Sequence, residues 1–311
     1  MSKKTWIITL AAVSVLLSAG CSASTSGKAA TDEERQQEYT LYHQWWIGTM
    51  SSEASIQNYA KGVLPLLDES SSVKKGWTEA ANSYQKLIEE NRAESRKLSP
   101  ELKAVHDKYA DYLKQEMDYY KTQAKSNTHH GKEILSDLTS HYKNDAAAEA
   151  KLYMDADKQY VNEHRLQDTA SVPRGAAVLD KDRDYEWQVY QQAMIPIRLK
   201  DVKPGLVAGV NGKDDPANGN FDMEISALGP AYQELYTKVK AESKNLSPEL
   251  KKINDEYAKY FKFQADFYKR AKITKNNDKD LLLFGSHGKD AAMMNRAYLR
   301  DLNLYLTTYQ L

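Results

Sequence analysis

The chain has 311 residues, 43 basic against 43 acidic groups, and one cysteine. That length suits about two domains, and the balanced charge offers no basic field for phosphates, which argues against nucleic acid as a partner. With Cys21 alone, an internal disulfide, a thiolate metal cluster and Cys-His catalysis are excluded as well.

Residues 1–21 read as a targeting segment. Lys3 and Lys4 form a short basic start, and Trp6 through Leu17 form an apolar run. That run is too short for a bilayer span, which takes about 20 apolar residues. It ends in Leu17-Ser18-Ala19-Gly20-Cys21. This stretch resembles the lipobox of bacterial lipoproteins, and the resemblance covers the leader only. It implies cleavage before Cys21, a thioether-linked diacylglyceryl group on Cys21 and often a further acyl chain on the new amino terminus. One acyl chain holds a protein marginally, whereas two or more make a stable anchor. Removal of residues 1–20 takes away Lys3 and Lys4 and leaves a net charge of −2. Residues 22–30 are small and polar, so they read as a flexible tether with nothing to bury.

From Asp32 the pattern turns helical, with Tyr39, Tyr42, His43, Trp46 and Ile47 spaced three and four apart along one face. Further helices are expected from Ser55 to Leu67, from Ser72 to Lys97 and from Ser99 onward. Helical spacing resumes at Ile134, and an alanine-rich helix follows from Asp145 to His164. Thr169 to Asp182 loses the period and contains Pro173 and Gly175, as a linker would. Pro204 to Asn220 carries loop chemistry, and helices are expected again near Asp222, Ser247 and Asp290. No convincing alternating strand occurs, so the body is predicted to be all-α.

The chain is internally duplicated. Leu98-Ser99-Pro100-Glu101-Leu102-Lys103 returns as Leu246-Ser247-Pro248-Glu249-Leu250-Lys251, a displacement of 148 positions. Glu38, Tyr84, Tyr109 and Tyr112 recur at the same displacement as Glu186, Tyr232, Tyr257 and Tyr260. Near the end of each copy, Ser140-His141, Asp145 and Tyr153 match Ser286-His287, Asp290 and Tyr298. Ser at N-cap, Pro at N1 and Glu in the first turn describe a helix start, so Ser99 and Ser247 are expected N-caps. The expected boundaries are a signal peptide at 1–20, a lipidated tether at 21–34, helical bundles at 35–168 and 183–311, and a linker at 169–182.

Few residues stand out as chemistry. Asp180, Asp182 and Asp184 begin like a calcium loop, but Tyr185 occupies the glycine position and Gln191 the closing acid. His129 and His130 are adjacent on an extended segment, where side chains point apart, and make a poor metal pair. His141 and His287 are kept in both copies, each before a helix that Asp145 or Asp290 is expected to cap; their role is either local packing or recognition of an anion at a helix N-terminus. Tyr109, Tyr112, Tyr257 and Tyr260 either fill the bundle with hydroxyls at its rim or form a stacking surface. Of Trp45 and Trp46, one is expected at a surface. No nucleophile elbow or phosphate loop occurs, and no cofactor or metal is expected.

These features predict a lipoprotein at the extracytoplasmic face of the cell membrane, held there through Cys21. Its expected activity is non-enzymatic binding of a protein, a wall component or a small ligand, on helix faces or in a crevice between units. An envelope-acting enzyme with dispersed acid/base residues such as His141 and His287, or a structural spacer, are the alternatives.

Overall fold

The computed structural model describes residues 30–126, 128–166, 181–209, 220–272, 274, 277–309 and 311. Every regular element among them is helical: α1 (Asp32–Val63), α2 (Ser70–Ser95), α3 (Pro100–Ser126), α4 (Lys132–Lys143), α5 (Asp145–Glu163), α6 (Lys181–Gly209), α7 (Asn220–Glu242), α8 (Pro248–Arg270) and α9 (Asn277–Tyr309), with short 3-10 turns after α1 and α7. The all-α expectation holds. Among the described residues no helix is long and apolar enough to cross a membrane. Cys21, the leader and most of the linker lie outside the described residues.

Several boundaries differ from the sequence reading. The tether ends earlier than position 34, because Thr31 closes a capping box with Glu34 and starts α1 at Asp32. No break follows before Ser55: Thr49, Ser52 and Ser55 return their hydroxyls to the carbonyls of Trp45, Gly48 and Ser51, so these polar residues continue the helix instead of ending it. The loop expected from Pro204 is helix as far as Gly209, and Lys181 and Asp182 open α6 instead of closing a linker.

The most consequential difference is at the end of each copy. Lys143 and Asp145 are separated by Asn144, whereas their counterparts Lys289 and Asp290 are adjacent. Asn144, at φ −109° and ψ −73°, ends α4 and starts α5. Without that extra residue, the second copy runs straight through as α9. Asp290 therefore caps nothing and lies mid-helix, as does His287.

The straight α9 serves two cores. Its early residue Leu282 joins the core of Tyr42, Trp77, Tyr84 and Leu113, while Ala291, Tyr298, Leu302 and Tyr305 join that of Tyr190, Tyr232, Tyr257 and Phe261. Helices α1 and α9 run antiparallel and very close. A Cβ added to Gly48 would lie 2.5 Å from Arg300 Cγ, and one on Gly285 would lie 2.6 Å from Val63 Cγ2. Lys289, buried on α9, reaches Ser83 Oγ on α2 at 2.5 Å and its neighbour Asp290 at 2.9 Å.

Helix starts are completed from a distance. Glu38 on α1 accepts the backbone N–H of Ser99, and Glu186 on α6 accepts that of Ser247. These are the N-cap N–H groups that a capping-box glutamate ordinarily satisfies from within its own helix. The serine hydroxyls contribute unequally: Ser99 Oγ accepts from Leu102 N–H at 3.4 Å, and Ser247 makes no side-chain cap bond. Glu38→Ala and Glu186→Ala should therefore each cost about 1–2 kcal/mol, with Ser247→Ala near neutral. Urea unfolding checks this; a Ser247→Ala loss equal to that of Glu186→Ala would return the cap to the hydroxyl.

Candidate functional site

Helix α3 presents Tyr109, Tyr112, Glu116, Tyr119 and Tyr120 at spacings of three, four, three and one, which keeps most of them on one inward face. Glu53 of α1 packs against this face, 4 % exposed. Gln57 donates to it at 2.7 Å, and the Tyr112 hydroxyl also donates, with Tyr109 at 3.5 Å. Burial pushes the Glu53 carboxyl up to about 7, against the Tyr112 hydrogen bond and with the Glu116 charge adding to the rise. These tyrosine hydroxyls thus turn inward to a buried carboxylate, not outward to the rim or to a stacking surface.

Glu116 connects this interior to the surface. One oxygen accepts the Tyr84 hydroxyl at 3.3 Å, and the other meets His141 Nε2 at 2.7 Å. Both oxygens act as acceptors, so Nε2 donates to Glu116, and Nδ1 makes no hydrogen bond within the protein. The His141 ring lies flat on Tyr119, with centroids 3.5 Å apart and planes at 2°. Its Nδ1 stands 3.6 Å from Asp145 Oδ2.

His141 stands in the last turn of α4, and Asp145 opens α5, so the Asn144 corner folds the two toward the end of α3. There a groove of about 360 Å³ is lined by Tyr119, Thr128, His129, Asp137, His141 and Asp145, among others, with no lysine or arginine in its described lining. His129 Nδ1 bonds Asp137 at 2.6 Å, an interaction that raises the imidazole above its ordinary value. His130 turns away to Ser70, 3.1 Å from its hydroxyl. No group of three His, Cys, Asp or Glu able to hold a metal ion occurs among the described residues.

The second copy repeats the architecture without the charge. Gln264 takes the place of Glu116 and meets His287 Nε2 at 2.5 Å. Phe267 takes the place of Tyr119 and stacks on His287 at 3.6 Å and 2°. Leu283 stands where Asp137 does, four residues before the histidine. Burial lowers His287 to about 4, so it is a neutral core histidine. Asp201, the counterpart of Glu53, accepts the Tyr260 hydroxyl at 3.1 Å and is raised to about 6 by burial.

A second groove, of about 400 Å³ along α7 and α8, is lined by lysines and acids. Lys240 and Lys251 both pair with Asp255, and Lys262 pairs with Asp266, as on a solvated helix face.

Of the residues singled out from sequence, His141 lies in the groove and His287 in its neutral counterpart. Trp45 is buried, at 3 % exposed, whereas Trp46 is partly buried and packs 5.0 Å from Tyr153 and edge-on to Tyr109. Helix α1 is covered on more than one side, so the adjacent Trp46 also finds partners, on α3 and α5. Glu116, Tyr119 and Asp137 were missed, although aligning the copies sets them opposite Gln264, Phe267 and Leu283. No protein-family model, curated protein or solved structure matches the chain.

Proposed function

We propose that this chain is a lipid-anchored, extracytoplasmic binding protein of the cell envelope, held at the membrane through Cys21 and binding a ligand in the groove beside His141. The observation that carries the binding reading is the contrast between the copies. Gln264, Phe267 and Leu283 build the same stacked-histidine architecture with neutral and apolar groups, so the fold itself does not require the ionisable Glu116, the Tyr119 hydroxyl or the Asp137 carboxylate. A buried carboxylate, a histidine held by it and an exposed acid around one groove support recognition. The anchor reading rests on the basic start, the apolar run and the sole cysteine of the leader.

Cys21→Ala should abolish labelling by a fatty-acid analogue and shift the protein from the membrane to the soluble fraction; label retained by the variant would overturn the anchor. For the binding reading, the full chain is purified from envelopes in mild detergent and its bound mass measured by native mass spectrometry. A stoichiometric adduct is expected in the wild type and absent in Asp145→Asn. Identical spectra without any adduct, together with no cross-link from a photoreactive group at Thr128, would overturn it.

The His141–Glu116 pair also has the composition of a general base held by a carboxylate, which favours an enzyme as the second reading. Recovery of a chemically altered ligand after incubation with wild type, but not with His141→Gln, would establish it.

A further inference from the structure

The polar atoms of the groove are unequal in what they can accept and give. His141 is 8 % exposed, and its Nδ1 makes no hydrogen bond within the protein; neither does the buried hydroxyl of Tyr119 on the same wall. A buried polar atom left in that condition is destabilising until a partner meets it. In the tautomer whose Nε2 proton is given to Glu116, Nδ1 is the acceptor. Beside it, 3.6 Å away, is the Asp145 carboxylate, whose side chain is 80 % exposed. Asp137 adds a second carboxylate to the lining, partnered by His129. Around these stand the hydroxyls of Ser126, Thr128 and Ser140.

We infer that the groove takes the protonated primary amine of a small polar molecule, its ammonium bridging His141 Nδ1 and Asp145 and its hydroxyl or amide groups meeting the Ser126, Thr128 and Ser140 side chains. This inference rests on the binding reading above and names the ligand class for that site. An ammonium offers three N–H donors and no acceptor, which complements the Asp145 carboxylate and the open Nδ1 beside it. A carboxylate or phosphate ligand would face the exposed Asp145 with like charge. A metal ion is disfavoured because the described residues supply no cluster of three ligating groups. Glu116 acts as a positioning residue: it fixes the proton on the far side of the ring and leaves the lone pair toward the groove. The second copy is the built-in contrast. Its His287 is held by a neutral amide, and an apolar leucine replaces Asp137.

The experiment uses the full chain in detergent with its histidines labelled with 15N, so that both imidazoles report at once. Ethanolamine, glucosamine and lysine are each titrated into the millimolar range beside their N-acetylated forms, and zinc chloride is titrated separately. The His141 resonances should move with at least one amine, at a dissociation constant about tenfold below that of its acetylated partner. His287 should not move. Asp145→Asn should raise that dissociation constant about tenfold while leaving the melting curve in place, since the carboxylate is exposed. Equal response to an amine and its acetylated form would overturn the assignment, as would response to zinc alone or no shift with any amine. A native-mass adduct alongside silent amine titrations would sink only the ligand class, whereas absence of both would sink the binding reading too.

Discussion

Replacement of Asp278 by Ala should lower the unfolding free energy by about 2–4 kcal/mol, although Asp278 is only the second residue of α9 and lies far in sequence from the helix it serves. Its carboxylate is 5 % exposed and accepts the backbone N–H of Asp68 at 2.9 and 3.1 Å and that of Glu69 at 2.7 Å. Those N–H groups open α2, whose N-cap Glu69 makes no side-chain cap bond of its own. A helix cannot satisfy its first donors internally, and a carboxylate is favoured at its positive end. Truncation therefore strands two donors and loosens the seam between α9 and α2. Asp278→Asn, which keeps one acceptor oxygen, should cost about half as much. Asp280 is the control: it accepts from the exposed Thr274 N–H and hydroxyl, and its alanine variant should cost less than about 1 kcal/mol. Urea denaturation gives all three values, and an Asp278→Ala loss no larger than that of Asp280→Ala would refute the distant cap.

The second large effect is with pH. Glu53 has an ordinary value near 4.5 and is raised by burial to about 7 in the folded chain. A carboxyl raised on folding contributes stability in its protonated form. That contribution is complete below about 4.5 and is lost as pH rises through about 7, because the unfolded chain ionises first. The loss across this window is about 3 kcal/mol. Asp201, raised to about 6, acts with the same sign between about 4 and 6. His287 opposes them: lowered from 6.5 to about 4, it contributes stability above 6.5 that is lost as pH falls through 4. Comparing wild type with Glu53→Gln isolates the first group, since Gln keeps the shape and cannot ionise. The advantage of wild type over the variant should shrink by about 3 kcal/mol between pH 4.5 and pH 7. Parallel stability profiles would show that Glu53 does not titrate in this window.

The parts of the fold that were legible in the sequence are those governed by short range. Apolar spacing of three and four announced the helices, and Ser-Pro-Glu announced the starts of α3 and α8. The repeat displacement of 148 positions paired Tyr112 with Tyr260 before any coordinates. What stayed hidden depends on long range. Glu38 and Glu186 look like solvated acids on their own helices, and only the packed chain brings them to Ser99 and Ser247. Glu116 falls on the apolar stripe of Tyr112, Leu113 and Tyr120, but one acid in a helix rich in acids and lysines does not announce which buried histidine it will meet. The inserted Asn144 is visible as a register slip between the copies, but the sequence predicts a helix start in both: Asp290 looks like one because Asp145 is one.

The pairing of α1 with α9 sets an order on how this protein can be completed. Gly48 and Arg300 touch, with 252 positions between them, and contacts of such sequence separation are entropically expensive and late to form. The face of α1 around Gly48 and Val63 lacks its α9 partner until that helix has been made. A chain emerging from the ribosome therefore carries an unfinished α1 side until α9 has been made, and closes both cores only then.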